Sequence, residues 1–206
     1  MTEQPPFTNT GVDFAGPLYI RYPGSTRSNK VWLCLFTCCV VRAVHLDLVP
    51  DMTTTAFLRC MKRFVARRGL PRRIVSDNAQ TFKCAAKSIT AMLSQQDVQQ
   101  YLSGNKVQWV FNVEKAPWWG GIFERMIKST KRCLRKVIGR AKLHYDELIT
   151  ALTEIEAVIN SRPLTYLSPD NLEEPLTPSH FLCGRRILNL PDCLQQDDVD
   201  EEFELQ

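Results

Sequence analysis

The sequence lacks any apolar run long enough to cross a membrane, and its N-terminus lacks the layout of a signal peptide. The longest apolar stretch lies within Val31–Val41, well short of the roughly 18 consecutive residues that indicate a spanning helix. The opening residues 1–6 carry no basic group ahead of an apolar segment. With 206 residues, 44% hydrophobic and 23% charged, the composition fits one medium globular domain plus a tail and excludes a collagen-like or wholly disordered chain. We expect no membrane partner.

The sequence also lacks the cysteine and histidine spacings of common zinc sites. No Cys-x-x-Cys pair occurs, and the three histidines, His45, His144 and His180, are not paired at zinc-finger spacing. The eight cysteines lie mostly within apolar periodic segments, where an unpaired cysteine packs like a small hydrophobic residue. We therefore expect no zinc in this chain, no disulfide framework, and a reducing environment inside a cell.

Acidic residues are missing from 125–142, although the formal net charge of the whole chain is only +4. The basic residues of this stretch are Arg125, Lys128, Lys131, Arg132, Arg135, Lys136, Arg140 and Lys142. A second basic cluster lies within 62–73, whereas every charged residue of 192–206 is Asp or Glu. Basic stripes suit a nucleic acid, because each Lys or Arg set against a phosphate releases counterions. The alternative is a solvated helix face.

Hydrophobic periodicity and turn residues predict an α/β fold. Strands are predicted at Phe7–Leu18, Val31–Val41, Arg42–Val49, Arg73–Ser76 and Val107–Phe111. Helices are predicted from Asp51 or Thr53 to Arg68, and at Phe82–Tyr101, Ile122–Arg140 and Asp146–Ser161, with a loop at Lys115–Gly121. This order predicts a mixed five-stranded sheet, antiparallel in its first three strands and then parallel, flanked by helices. We expect residues 1–163 to form the core, 164–191 an extended connector and 192–206 an acidic disordered tail.

Three carboxylates stand out by their positions. Asp13 lies within a strand, Asp77 at the carboxyl end of a later strand, and Glu124 at the start of the long basic helix. Sites in open α/β sheets form at the carboxyl ends of strands. Three carboxylates gathered there would repel one another without a cation, and their hard oxygens suit Mg²⁺ or Mn²⁺. Two such ions activate a water or hydroxyl and stabilise the leaving oxygen of a phosphoryl transfer.

Each acid also has a simpler interpretation. Asp77 followed by Asn78 is typical of a turn in which the side chain bonds its own backbone. A Glu at a helix start complements the helix dipole. Asp13 is harder to explain in this way, because a lone carboxylate in an apolar strand is costly to bury.

The helix after residue 122 adds a geometric expectation. Glu124, Lys128, Lys131 and Arg135 follow one another at i, i+4, i+7 and i+11, so they share one helix face. An anionic backbone held on that face would pass directly beside Glu124.

Three motifs resemble the catalytic core of retroviral and retrotransposon integrases, which have the RNase H-like fold. They are Thr10–Pro17 (TGVDFAGP), Ile74–Asn78 (IVSDN) and Pro117–Arg125 (PWWGGIFER). Further segments resemble the BEL/Pao branch of LTR retrotransposons, namely Ala43–Val49, Phe64–Pro71, Ile159–Thr165 and Leu176–Leu182. The resemblance covers roughly residues 5–188.

The resemblance implies a function and a set of roles. Asp13, Asp77 and Glu124 are then the family's metal ligands, for two Mg²⁺ or Mn²⁺ ions per active site. Lys128 and Lys131 contact the DNA end of the element. Arg135 is expected to extend that track, and Asn78, Trp118 and Trp119 are further candidates for DNA contact.

The implied activity is DNA integration, that is, 3′-end processing followed by strand transfer into a target duplex. The implied setting is the nucleus, with a homo-oligomer because joining two DNA ends needs more than one protomer. Lys115–Gly121 resembles the mobile loop before the catalytic helix.

The sequence departs from the family pattern in several places. Ala79 stands where Gly is usual, Gly120 stands where many members have Gln, and the stretch between Asp77 and Glu124 is longer than in the commonest members. The zinc module that precedes the core in the family does not occur in these residues, as in a fragment or a truncated copy. Two alternatives therefore stay open: a truncated or domesticated DNA-binding domain without catalysis, and an RNase H-type nuclease.

Overall fold

A computed structural model describes residues 4–21, 28–77, 79–93, 107–111, 117–137, 143–165 and 174–187. The strands are β1 (Asn9–Arg21), β2 (Ser28–Cys38), β3 (Val44–Val49), β4 (Arg73–Ser76) and β5 (Gln108–Phe111). The helices are α1 (Thr54–Arg68), α2 (Gln80–Leu93), α3 (Pro117–Val137), α4 (Tyr145–Asn160) and α5 (Pro178–Cys183).

The strands form one five-stranded sheet in the order β3-β2-β1-β4-β5. Strands β1, β2 and β3 pair antiparallel, whereas β4 pairs parallel with β1 and β5 parallel with β4. The predicted mixed sheet is confirmed. Because β1 and β4 run in the same direction side by side, the residues that follow their paired stretch, Asp13 in β1 and Asp77 after β4, lie next to each other.

The two faces of the sheet pack against different helices. Residues alternate along β2, so that Leu33 and Leu35 belong to one buried cluster and Cys34 and Phe36 to the other. The first cluster is aliphatic and includes side chains of α3 and α4. The second includes side chains of α1 and α2 and is rich in phenylalanine, with the rings of Phe36 and Phe64 stacked 4.1 Å apart. This packing rigidly supports the central strands.

Helix α1 begins and ends at the residues that its sequence indicates. The hydroxyl of Thr53 accepts a hydrogen bond from the Ala56 amide at 3.2 Å, which satisfies one of the free amides at the helix start. Gly69 ends the helix with a φ of 87°, a conformation that a side chain would strain.

The start of α3 differs from the prediction. The helix begins at Pro117, so residues 117–121 of the predicted loop are helical, and the rest of that loop lies outside the described residues. Proline suits the first helical position because its fixed φ is helical and its missing N–H would have no partner there. Glu124 consequently lies beyond the first turn of the helix, not within it as predicted. Val137, the last residue of α3, is 59% exposed.

Other element boundaries in the structure also differ from the predicted ones. Strand β1 continues past Gly16 and Pro17 to Arg21, with a register shift between Ala15 and Leu18. The predicted extended connector over 164–191 contains helix α5, which the sequence periodicity was too short to reveal. Its proline at the N-terminus and Gly184 at the C-terminus, with a φ of 73°, are ordinary helix boundaries. Residues 94–101 of the second predicted helix and the tail 192–206 lie outside the described residues.

Side chains of α4 cover the outer edge of the sheet at β3. Asn160 accepts a hydrogen bond from the Val44 amide at 2.8 Å and donates one to the Val44 carbonyl at 2.9 Å. Glu156 accepts the Leu46 amide at 2.8 Å. These bonds occupy backbone groups that an uncovered edge strand would offer to another chain.

Two absences apply to the described part of the chain. The cysteines found there, Cys34, Cys38, Cys39, Cys60, Cys84, Cys133 and Cys183, are free. None of the helices described has the length and apolar character needed to span a membrane.

Candidate active site

Asp13, within strand β1, and Asp77, directly after the end of β4, lie side by side on neighbouring parallel strands. Val12 of β1 is the register partner of Ser76 of β4, and each acid is the next residue along its chain. Adjacent strands are about 4.8 Å apart. Val12 is buried in the phenylalanine-rich cluster, so Asp13, one residue on, points to the opposite face, where α3 packs. The predicted convergence of these two acids is thus present in the backbone.

Asp13 is a partly buried carboxylate beside a cation. Its side chain is 24% exposed, and one of its oxygens lies 3.4 Å from the Lys131 ammonium. Burial raises the pKa of Asp13 above its ordinary value, while Lys131 and a hydrogen bond from the Phe14 amide act to lower it. The nearby charge of Asp77 also acts to raise the pKa of Asp13.

Asp77 is exposed and helps to start helix α2. One carboxylate oxygen accepts a hydrogen bond from the Ala79 amide at 2.9 Å, the turn that the simpler interpretation of this residue predicts. Of the described non-glycine residues, Phe7 and Arg42 have positive φ, so Ala79 does not adopt the left-handed conformation that would strain it. The turn occupies one Asp77 oxygen with a backbone donor and is compatible with a second role for the other.

Helix α3 turns its basic face toward these acids. Lys131 reaches Asp13 from this face, and Lys128 and Arg135 are exposed on it. Glu124 is placed on the same face, about 10 Å nearer the start of the helix, because seven residues make nearly two turns. The side chains of Glu124, Trp118 and Trp119, and the whole of Asn78, lie outside what the structure describes, so their roles stay predictions.

A cleft of about 410 Å³ opens beside Asp13. Its walls are residues 14–18 of β1, where the register shifts, and Lys131, Leu134 and Arg135 of α3. Sequence reasoning identified the two basic residues but missed the contribution of the strand. The Gly16-Pro17 pair within a strand is the signal that could have revealed it, because such pairs mark irregularities where a strand bends.

The residues present fit a divalent cation. Asp13 and Asp77 offer hard carboxylate oxygens, the ligand type that Mg²⁺ and Mn²⁺ prefer. Their mutual repulsion favours a cation between them, and Lys131 already places a positive charge against Asp13. Within the described ranges, no group of three or more His, Cys, Asp or Glu residues is arranged to hold a metal. The donor set among the described side chains is therefore two carboxylates, with Glu124 as the predicted third.

The sheet order, the mixed strand directions and the helices on both faces define the RNase H-like fold, in the form found in retroviral integrase catalytic cores. The HTLV-2 integrase core, solved in complex with magnesium in a trimeric form, superposes with a TM-score of 0.52 and 16% identity, covering 86% of this chain and 97% of that one. The bovine immunodeficiency virus (BIV) integrase core gives a TM-score of 0.54 at 13% identity, with coverages of 86% and 95%.

A longer integrase chain is also similar. A chain of the simian T-cell lymphotropic virus intasome, solved with the PP2A regulatory subunit B56 gamma, gives a TM-score of 0.54 at 17% identity. The similarity covers 91% of this chain but only 58% of that one. No protein-family model matches the sequence, and no curated protein matches it. At these identities the likeness establishes the fold alone.

Proposed function

We propose that this chain is the catalytic core of an integrase, a divalent-metal-dependent polynucleotidyl transferase that processes 3′ DNA ends and joins them to a target duplex. The observation that carries the proposal is that Asp13 within β1 and Asp77 just after β4 lie side by side on adjacent parallel strands, beneath a basic helix. Acidic oxygens beside a polyanion-binding surface are what metal-assisted phosphoryl transfer requires.

Asp13, Asp77 and Glu124 are the proposed ligands of two Mg²⁺ or Mn²⁺ ions. When bound, such ions activate the attacking oxygen and stabilise the leaving oxygen of an in-line displacement. The nucleophile is water in end processing and a DNA 3′ hydroxyl in strand transfer, so no protein side chain becomes covalently attached. The HTLV-2 core was solved with magnesium, which supports the choice of metal.

The basic face of α3 is proposed to hold the DNA. Lys128, Lys131 and Arg135 present cations along one side of the helix that leads to the acids. This arrangement would keep a phosphodiester backbone on the α3 side of Asp13. Asn78, Trp118 and Trp119 are proposed as further DNA contacts, the tryptophans by stacking on exposed bases.

The wider setting follows from the same proposal. The segments that resemble BEL/Pao elements suggest a retrotransposon origin, and integration into chromosomes would place the protein in the nucleus. A homo-oligomer is proposed because two DNA ends must be joined together. The HTLV-2 core has been solved in trimeric and dimeric forms, which supports self-association.

A strand-transfer assay with a matched pair of variants tests this proposal. Asp77→Asn keeps the shape of the side chain but removes its charge, and is expected to abolish Mg²⁺-dependent transfer while DNA binding persists. Asp51→Asn is the control, because Asp51 accepts the Thr53 amide at 2.9 Å in a similar turn before a different helix, α1. It should leave transfer intact.

Three outcomes distinguish the open alternatives. Transfer that survives in Asp77→Asn would contradict the metal role. DNA binding by the wild type without any transfer in Mg²⁺ or Mn²⁺ would favour a DNA-binding domain without catalysis. Cleavage of the RNA strand of an RNA–DNA hybrid, without strand transfer, would favour an RNase H-type nuclease.

A further inference from the structure

Lys131 contacts the carboxylate that the proposed function assigns to a metal ion. Its ammonium lies 3.4 Å from Asp13, and both side chains are only partly exposed, at 39% and 24%. The pair joins residues far apart in the chain, on α3 and β1. Lys131 therefore does more than add to the basic surface of α3, because its ammonium pairs with one particular carboxylate, that of Asp13.

Asp13 needs such a partner. Burial disfavours its charged form, and the neighbouring charge of Asp77 does so as well. The ammonium of Lys131 opposes both effects in part, and the pKa of Asp13 stays raised. A divalent ion bound by Asp13 and Asp77 would take over this neutralising role and would repel the ammonium at close range.

The cleft beside Lys131 gives its side chain room to move away from Asp13. The Lys131 side chain lines the cleft of about 410 Å³ that runs between α3 and residues 14–18. Arg135 lines the same cleft, so an anionic group there would meet two cations. The flexible four-carbon stem of lysine lets the ammonium move while its backbone stays in place.

We infer that Lys131 is an internal counterion that occupies Asp13 until a divalent ion displaces it, and that the displaced ammonium then faces the phosphate of bound DNA. This inference rests on the proposed metal role of Asp13. Metal binding and DNA binding are thereby coupled through one side chain, because each favours the same displaced position of Lys131. Lys131 acts as a positioning residue for the metal site.

Direct measurement of Mn²⁺ binding tests the inference without any assay of activity. Calorimetry on the full chain, at about pH 8 so that protons do not compete for carboxylates, compares the wild type with Lys131→Met, Lys131→Arg and Lys136→Met. Lys131→Met is expected to bind Mn²⁺ about two- to fivefold more tightly, the range for losing one partly exposed ion pair. Lys131→Arg keeps the cation and should bind like the wild type.

Lys136→Met is the matched control, since it removes the same charge from an exposed position of the same helix. Equal affinities for Lys131→Met and Lys136→Met would overturn the inference while leaving the metal site intact. Failure of every variant and of the wild type to bind Mn²⁺ would overturn the metal role of Asp13 itself, and the inference with it.

A second measurement follows the ammonium directly in the wild type. The side-chain nitrogen signal of Lys131, assigned by its loss in Lys131→Arg, should move toward that of a solvent-exposed lysine as Mg²⁺ is added. A Lys131 signal that stays unchanged at saturating Mg²⁺ would overturn the inference. This arm does not depend on the folding of Lys131→Met.

Discussion

The ammonium of Lys131 lies 3.4 Å from a carboxylate oxygen of Asp13, and this contact connects helix α3 to the central strand of the sheet. It fixes which side of α3 faces the acids. Among the side chains of α3 that the structure describes, Met126, Thr130 and Leu134 are buried, whereas the basic residues Arg125, Lys128, Arg132, Arg135 and Lys136 are exposed. A surface for a polyanion and a pair of carboxylates are therefore brought together by one helix.

The first prediction concerns the stability cost of Asp13. Its pKa is raised in the folded protein, chiefly by burial, from an ordinary value of 3.8. A raised folded pKa means that the ionised form is disfavoured, so the protein loses stability as pH rises through that range. In metal-free buffer at neutral pH, Asp13→Asn should therefore raise Tm by about 1–3 °C, and the gain should vanish below pH 3.8.

Asp51 provides a control of opposite sign for this prediction. Hydrogen bonds from the Thr53 side chain and amide lower the pKa of Asp51, so its charged form is favoured by folding. Asp51→Asn should lower Tm at neutral pH and have less effect in acid. If both variants moved Tm in the same direction at pH 7, the electrostatic account of Asp13 would be wrong.

The second prediction concerns the buried network around Glu156. Burial acts to raise its pKa, but hydrogen bonds from His45 and the Leu46 amide and the charge of Arg68 together hold the pKa below its ordinary value of 4.5. The Arg68 contact is 2.6 Å long. Glu156→Ala would leave buried donors unpaired and should lower the free energy of unfolding by about 3 kcal/mol, measured by urea denaturation.

The pH dependence of this network has a definite sign. A depressed folded pKa contributes stability that is present above pH 4.5 and is lost as pH falls through the folded value. Glu156→Gln should remove that acid-sensitive part of the unfolding profile. Thr153→Ala, at an exposed position of the same helix, should change stability by less than about 0.5 kcal/mol; a loss as large as that of Glu156→Ala would contradict the network's importance.

The third prediction concerns which face binds DNA. Lys128→Ala and Arg135→Ala should each weaken duplex binding, and each should reduce the slope of log affinity against log salt by about one unit, the loss of one phosphate contact. Fluorescence anisotropy over a series of salt concentrations measures both quantities. Lys62→Ala is the control, because Lys62 is exposed on α1, which packs on the opposite face of the sheet. If Lys62→Ala weakened DNA binding more than Lys128→Ala, DNA would bind on the α1 face of the sheet, and the proposed α3 interface would be wrong.

The boundaries of helices and strands were predictable where residues close in sequence set them. Helix α1 begins after the Thr53 cap and ends at Gly69, as the sequence indicated, and strand β4 has the predicted bounds. Asp77 could be placed at a candidate site because it follows a strand of an α/β sheet, and the register of the adjacent strand brings Asp13 beside it. Their environment could not be predicted, since burial and the Lys131 contact depend on how α3 packs.

The errors have physical causes as well. The sequence predicts a loop over residues 117–121 because proline and glycine are poor interior helix formers, yet proline is well suited to a helix start. The Glu156 network joins residues separated by more than eighty positions in the chain. No periodicity or spacing indicates such contacts, which depend on the docking of α4 against the edge strand.

The central claim is that Asp13 and Asp77 share a divalent cation. The most direct measurement is the anomalous scattering of a crystal of the full chain grown with Mn²⁺. The account predicts a peak in contact with a carboxylate oxygen of each residue, at the roughly 2.0–2.3 Å expected for such ions, and no peak there in Asp77→Asn crystals. Mn²⁺ bound only elsewhere, with both carboxylates free of metal, would contradict it.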